Sequence, residues 1–177
     1  LQLPLTGRDE ELAIVRSLLE RAAEGEGGTL VLTGGGGVGK SRLLQTVGTE
    51  ARDAGWTVLA GRAYPVEAGI PYAPVADAFN TFLRGTPPET LRTLTRGSEA
   101  ELSHVFPPLA LMGGAEYAGD AAELKARILW SFCQFLSRLS ERAPILLLLD
   151  DLQWADASTL ELIHFAARQI VRDRVAI

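Results

Sequence analysis

Residues Gly34-Gly35-Gly36-Gly37-Val38-Gly39-Lys40-Ser41 complete the pattern G-x-x-x-x-G-K-[S/T], and they do so between two segments of different character. Before them, Thr29-Leu30-Val31-Leu32-Thr33 reads as a short buried strand. After them, Leu43, Leu44 and Val47 begin an apolar face with helical spacing. Strand, glycine loop and helix in this order make a phosphate-binding loop, a strong constraint on what the chain can fold into. Each residue type has a reason. Glycines let successive backbone N–H groups converge on phosphate oxygens without Cβ clashes. A helix opening at Gly39 adds unsatisfied N–H donors and its positive dipole end. Lys40 supplies a mobile cation for β- and γ-phosphates, and the Ser41 hydroxyl fits one octahedral position on Mg²⁺. At ordinary glycine content the bare pattern arises by chance in about one chain per hundred of this size. The flanking strand and helix make a stray glycine loop a poor alternative.

Such a site needs a carboxylate at the tip of a neighbouring strand to hold the metal. Pro144-Ile145-Leu146-Leu147-Leu148-Leu149-Asp150-Asp151 provides it. Five consecutive aliphatic residues followed by acids describe a strand buried on both faces of a parallel sheet, with its carboxyl end at the ligand crevice. Asp150 is the candidate magnesium-side acid. Asp151 follows at the position suited to polarising an attacking water. A polar turn closing a core strand, or a helix cap, is the alternative reading of the pair.

Four blocks resemble a known family, the ATPase domains of STAND-class, AAA-type regulators, found in large LuxR-type transcriptional activators and beside some bacterial nucleotide cyclases. Leu5-Thr6-Gly7-Arg8-Asp9-Glu10-Glu11-Leu12 resembles the family's opening signature, and Lys40-Ser41-Arg42-Leu43-Leu44 continues its phosphate-loop block. Gly69-Ile70-Pro71-Tyr72-Ala73-Pro74-Val75 is similar to its proline-rich approach to the helix after the second strand. Leu149-Asp150-Asp151-Leu152-Gln153-Trp154-Ala155-Asp156 resembles its extended Walker B element. The resemblance runs from residue 5 to about residue 170, and the last block is its most specific part. Gly35-Gly36 departs from relatives that place an acid, proline or alanine there.

The resemblance implies an α/β, three-layer P-loop NTPase of the ASCE/AAA type with a mostly parallel sheet of order 5-1-4-3-2. It implies ATP/ADP and Mg²⁺ as ligands and places the segment of Arg8 beside the adenine, where packing or a surface salt bridge is the alternative for Arg8. It sets Gly34, Gly35, Gly36, Gly37, Val38, Gly39, Lys40, Ser41 and Arg42 on the nucleotide, Ser41 and Asp150 on the metal, and Lys40, Asp150 and Asp151 in catalysis. Residues 1–177 then form the core of the ATPase unit, with the fifth strand, lid, winged-helix and output regions outside this sequence. Relatives exchange ADP for ATP on a signal and then oligomerise. The implied function is a slow ATPase switch completed by an arginine from elsewhere. A non-hydrolysing nucleotide-binding scaffold and a P-loop small-molecule kinase are the other classes. A kinase would want a basic lid, and residues 85–119 hold only Arg92 and Arg96, with Arg84 just before them.

Composition sets outer bounds. With 22 acidic against 17 basic residues, the formal net charge of −5 argues against a broad nucleic-acid-gripping surface. No run approaches the roughly 18 apolar residues of a membrane span, and no leader of basic then apolar character opens the sequence. Cytoplasmic location is the expectation. Cys133 is the single cysteine and reads as a packing residue.

Apolar spacing predicts helices over residues 9–24, from the loop to about 53, 75–83, about 124–139 and 158–170, with Asp156 or Ser158 as cap of the last. Residues 56–61 read as a second strand and 171–177 as a fourth. Between Gly85 and Gly119, Pro87-Pro88, Pro107-Pro108 and Gly113-Gly114 punctuate helical pieces around 89–95 and 99–106. This stretch reads as an inserted helical subdomain or a surface excursion. Trp154 is expected to anchor the loop after Asp151 against the core, or else to sense the nucleotide.

Overall fold

A computed structural model describes residues 7–113 and 119–177. Leu5 and Thr6 of the opening signature, and Gly114 of the last glycine pair, lie outside the described residues.

The architecture follows from β2, Ile145–Asp150. Its side chains alternate between the sheet's two faces, and both faces are apolar. Ile145, Leu147 and Leu149 belong to one hydrophobic cluster, Leu146 and Leu148 to the other. On the first face pack α3 (Ala73–Gly85), α6 (Ala121–Ser140) and α7 (Ala157–Gln169). On the second lie α1 (Asp9–Ala23), through Leu12, Val15 and Leu18, and α2 (Lys40–Asp53), through Leu43 and Val47. The result is a three-layer α/β unit.

Every strand pairing is parallel. β1 (Thr57–Arg62) pairs with β2 in the register Thr57 to Ile145 through Arg62 to Asp150. The short β3 (Val175–Ala176) pairs with β2 on its other side. A bridge from Gly28 to Ala176 adds the segment leading into the glycine loop beyond β3. The lateral order, from residue 28 through β3 and β2 to β1, corresponds to the expected 1-4-3-2.

Two strand expectations shrink. Pairing of the loop-side segment is confined to residues 28–30, where Gly28 N–H donates to Val175 O (3.1 Å) and Leu30 N–H to Ile177 O (2.8 Å). Val31 is 75 % exposed, so the expected buried strand over 29–33 is not realised as a strand. Of residues 171–177 only Val175–Ala176 are extended, because a 3₁₀ turn at Ile170–Arg172 first reverses the chain and Asp173 N–H closes it on Ile170 O (2.8 Å).

The segment between α3 and α6 is seated in the larger core rather than laid over it. α4 (Pro88–Thr95) and α5 (Glu99–Ser103) are short, yet Leu91, Leu94, Leu102, Val105, Phe106 and Leu109 are all buried. Phe106 meets Phe79 of α3 at 4.7 Å between ring centroids and Phe135 of α6 at 5.7 Å, and Phe79 lies 5.9 Å from Phe135. These tilted contacts are favourable aromatic geometry. Cys133 packs in the same cluster, where burial pushes its thiol up to about 12. Phe79→Ala should cost about 3–5 kcal/mol, read as a lowered urea midpoint. A midpoint within experimental error of the parent would show that the aromatic cluster does not hold the helical segment to the core.

Candidate functional site

The carboxyl ends of the strands carry the site. The loop from Gly34 to Gly39 arches in front of α2, whose cap residue Gly39 has φ +91°, with Gly37 at +77°. Both angles lie in the left-handed region open to glycine. Gly35 and Gly36 are not held there by angle or crowding, since a Cβ on either would meet nothing within 4 Å.

Two cations grip the loop from opposite sides. The Lys40 ammonium donates to its carbonyls at Gly34 (2.8 Å) and Gly35 (2.9 Å). Arg8, just before α1, donates to Val38 O at 2.6 Å and pairs with Glu11, holding the Glu11 carboxyl below its usual range. Arg8, 30 residues before Val38 in sequence, is thereby a contact of the phosphate-loop backbone. Lys40 shows the chemistry of the position: its ammonium seeks oxygen acceptors at the mouth of the loop, and phosphate oxygens are stronger acceptors than neutral carbonyls.

Ser41 and Asp150 line one cavity of about 380 Å³, with Gln45, Arg62, Asp77 and Leu148 among its other walls. A hydroxyl and a carboxylate on adjoining elements, open to solvent, fit Mg²⁺. That ion takes few protein ligands and completes its octahedron with water and phosphate oxygens. No cage of three or more His, Cys, Asp or Glu side chains exists among the described residues. Arg42 follows Ser41 on the first turn of α2.

Asp151 is held in the left-handed region at φ +55°, a conformation aspartate tolerates better than most residues. Its backbone N–H donates to Asp150 Oδ1 at 2.9 Å. Gln153 Nε2 donates to one side-chain oxygen (3.0 Å), and Arg62 donates to the other through Nε (2.8 Å) and also through Nη2. The donors from Gln153 and then Arg62 hold the Asp151 carboxyl below its ordinary range, and the same pair raises Arg62. Sequence analysis missed Arg62, Gln153 and Asp77. A usable signal existed for Arg62: it ends the strand beside β2, in register with Asp150.

Asp156 caps α7 as expected. It accepts from Ser158 N–H (2.8 Å), Thr159 N–H (3.2 Å) and the Thr159 hydroxyl. It also accepts from Tyr72 N–H (3.2 Å), so the two signature blocks around 69–75 and 149–156 meet at one carboxylate. Burial pushes the Asp156 carboxyl up, but the donors from Thr159, Ser158 and Tyr72 outweigh it and the net direction is down. Trp154 is 45 % exposed, against the expectation that it anchors its loop in the core.

These elements define the site of a P-loop nucleotide-binding domain. The chain matches the AAA ATPase domain family over residues 4–177, and it belongs to that family. Comparison with curated proteins and with solved structures returned no match. No helix among the described residues is long and apolar enough to cross a membrane.

Two outcomes follow. Gly35→Ala and Gly36→Ala should each raise the stability of the nucleotide-free chain by about 0.4–1 kcal/mol, by restricting the unfolded chain; a loss in thermal unfolding would show that these glycines are needed even without ligand. The carboxyls of Asp151 and Asp156 are depressed in the fold. Their stabilisation is therefore complete above about pH 4 and is lost as pH falls through the folded values. Arg62→Ala should flatten the acid limb of the stability–pH curve, and an acid limb identical to the parent's would remove Arg62 as a cause.

Proposed function

We propose that this chain is an ATP-binding regulatory switch that hydrolyses slowly, acting in the cytoplasm within a larger signalling or transcriptional regulator. What carries the reading is one juxtaposition. Ser41, on the first turn of α2, and Asp150, at the end of β2, line one cavity, and the adjacent Asp151 is already engaged by Arg62 and Gln153. A carboxylate engaged by two donors is a poor acceptor for a water proton, so turnover is slow until those donors move. The absence of a guanine-reading N-K-x-D motif and membership of an ATPase family favour adenine.

In this reading the loop amides and Lys40 hold the β- and γ-phosphates, while Ser41 and Asp150 hold Mg²⁺. Arg8 keeps the loop in shape from behind. When bound, Mg²⁺ supplies positive charge that neutralises phosphate oxygens. Asp151, once released, orients a water in line with the terminal phosphate, which is mostly a matter of positioning. The nucleotide state then passes to the lid and output regions, with self-association on activation. Neither nucleic acid nor membrane is a direct partner of this domain.

The engagement of Asp151 also favours a second reading, a scaffold that binds nucleotide without cleaving it. Titration calorimetry with ATP and ADP, each with and without Mg²⁺, tests the shared part. Binding should saturate, and Lys40→Ala should abolish it. Asp151→Asn then separates the two readings: it should leave affinity within about threefold while lowering turnover by about 10² or more. Turnover equal in parent and Asp151→Asn would favour the scaffold, and ATP binding unaffected by Lys40→Ala would sink both.

A further inference from the structure

Asp151 is held by more than the two donors that touch it. From Asp151 the chain turns through the 3₁₀ segment Leu152–Trp154 to Asp156. Asp156 accepts the N–H of Tyr72, the residue that opens α3. Tyr72 sits at φ +64°, a conformation unfavourable for a bulky side chain, so this junction stays in place only because its surroundings hold it. One turn into α3, Asp77 Oδ2 accepts the backbone N–H of Arg62 at 3.3 Å. That N–H lies on the edge of β1 that no strand covers, and Asp77 is its only partner there among the described residues. Packing fixes α3 over this point: a Cβ on Gly61 would lie 2.0 Å from Pro74 O and 2.8 Å from Ala78 N. Arg62 closes the circuit by returning its guanidinium to Asp151.

We propose that Asp77 and Asp156 are positioning residues for hydrolysis: with Arg62, Tyr72 and α3 they close a ring of contacts that sets where Asp151 stands. Asp77 fixes the backbone from which Arg62 reaches, and Asp156 fixes the far end of the loop that carries Asp151. The inference rests on the reading of Asp151 as the water-orienting acid, but its structural half does not require turnover.

Two readouts on the full chain test it, with Asp120→Ala as control. Asp120 caps α6 by accepting Glu123 N–H at 2.8 Å and lies outside the ring, so its loss costs a cap without opening the circuit. In amide hydrogen exchange, Asp77→Ala should speed exchange at residues 151–155, none of which Asp77 touches. Asp156→Ala should do the same at 62–64, and Asp120→Ala should do neither. In steady-state hydrolysis Asp156→Ala, which loosens the loop that carries Asp151, should lower kcat by about tenfold with KM within about twofold, whereas Asp77→Ala, which frees the Arg62 donor from Asp151, should raise kcat. If Asp156→Ala fails to fold, Asp156→Asn keeps one acceptor oxygen and should show the same directions more weakly. Exchange at 151–155 equal to the control's would overturn the ring even with hydrolysis intact. A kcat equal to the parent's would overturn the positioning role. If the parent shows no hydrolysis, the catalytic reading falls by itself, and exchange decides whether the ring exists.

Discussion

The site depends on one constraint: β2 is parallel to its neighbours and buried on both faces. Such a strand has no solvent-facing side chains to spare, so its residues must be aliphatic throughout. Its first polar residue can appear only where the sheet ends. Asp150 therefore marks the rim of the sheet. Parallel pairing brings the end of β1 to the same rim, and Arg62 arrives beside the two acids. The third arrival is the chain leading to the glycine loop, held by three backbone hydrogen bonds with residues 175–177. Charged groups meet at this edge because the interior admits none of them.

That logic also explains how far the sequence could be read. The phosphate loop, β2 and its acids were legible because their chemistry is local: a spacing of glycines, an unbroken aliphatic run. The helices of the outer layers were legible from their apolar period, and Asp156 as a cap from its place before α7. The reading failed where a feature needs a partner from elsewhere. Thr29-Leu30-Val31-Leu32-Thr33 has the composition of a strand, and pairing with residues 175–177 is seen at residues 28–30. Residues 85–113 read as an inserted helical subdomain or a surface excursion because prolines and glycines cut them into short pieces. Short pieces still bury Leu94, Leu102 and Phe106 when a long helix such as α6 offers its face.

The candidate site divides along the same line. Lys40 reaches the carbonyls of Gly34 and Gly35, and Ser41 and Asp150 line one cavity. Arg62 and Asp151 are 89 residues apart in sequence, and only the strand register joins them. Asp77 and Tyr72 enter through helix placement, which no spacing rule encodes. Trp154 carries a further lesson: a large aromatic residue in a specific motif invites a core assignment, yet it is half exposed on the turn between Asp151 and Asp156. Its loop is held instead by carboxylates accepting backbone N–H groups, a device that works at a polar rim where apolar anchoring has nothing to bury against.

The contacts around Asp151 differ in strength. The Arg62–Asp151 pair is largely exposed, so water competes with it and holding the two side chains together costs entropy. Carboxylates bonded to backbone N–H groups are firmer, since the backbone is already ordered. The ring around Asp151 is thus unequal: Asp156 with Tyr72 and α7 forms a stiff side, and the guanidinium bridge forms a weak one. An arriving polyanion at Lys40 and Ser41 would place negative charge near Arg62 and compete with Asp151 for it. The weak link would yield while the stiff side kept the loop in register. A ring strong everywhere would lock Asp151 away permanently, and one weak everywhere would let it wander. Only an unequal ring releases the acid in a defined position.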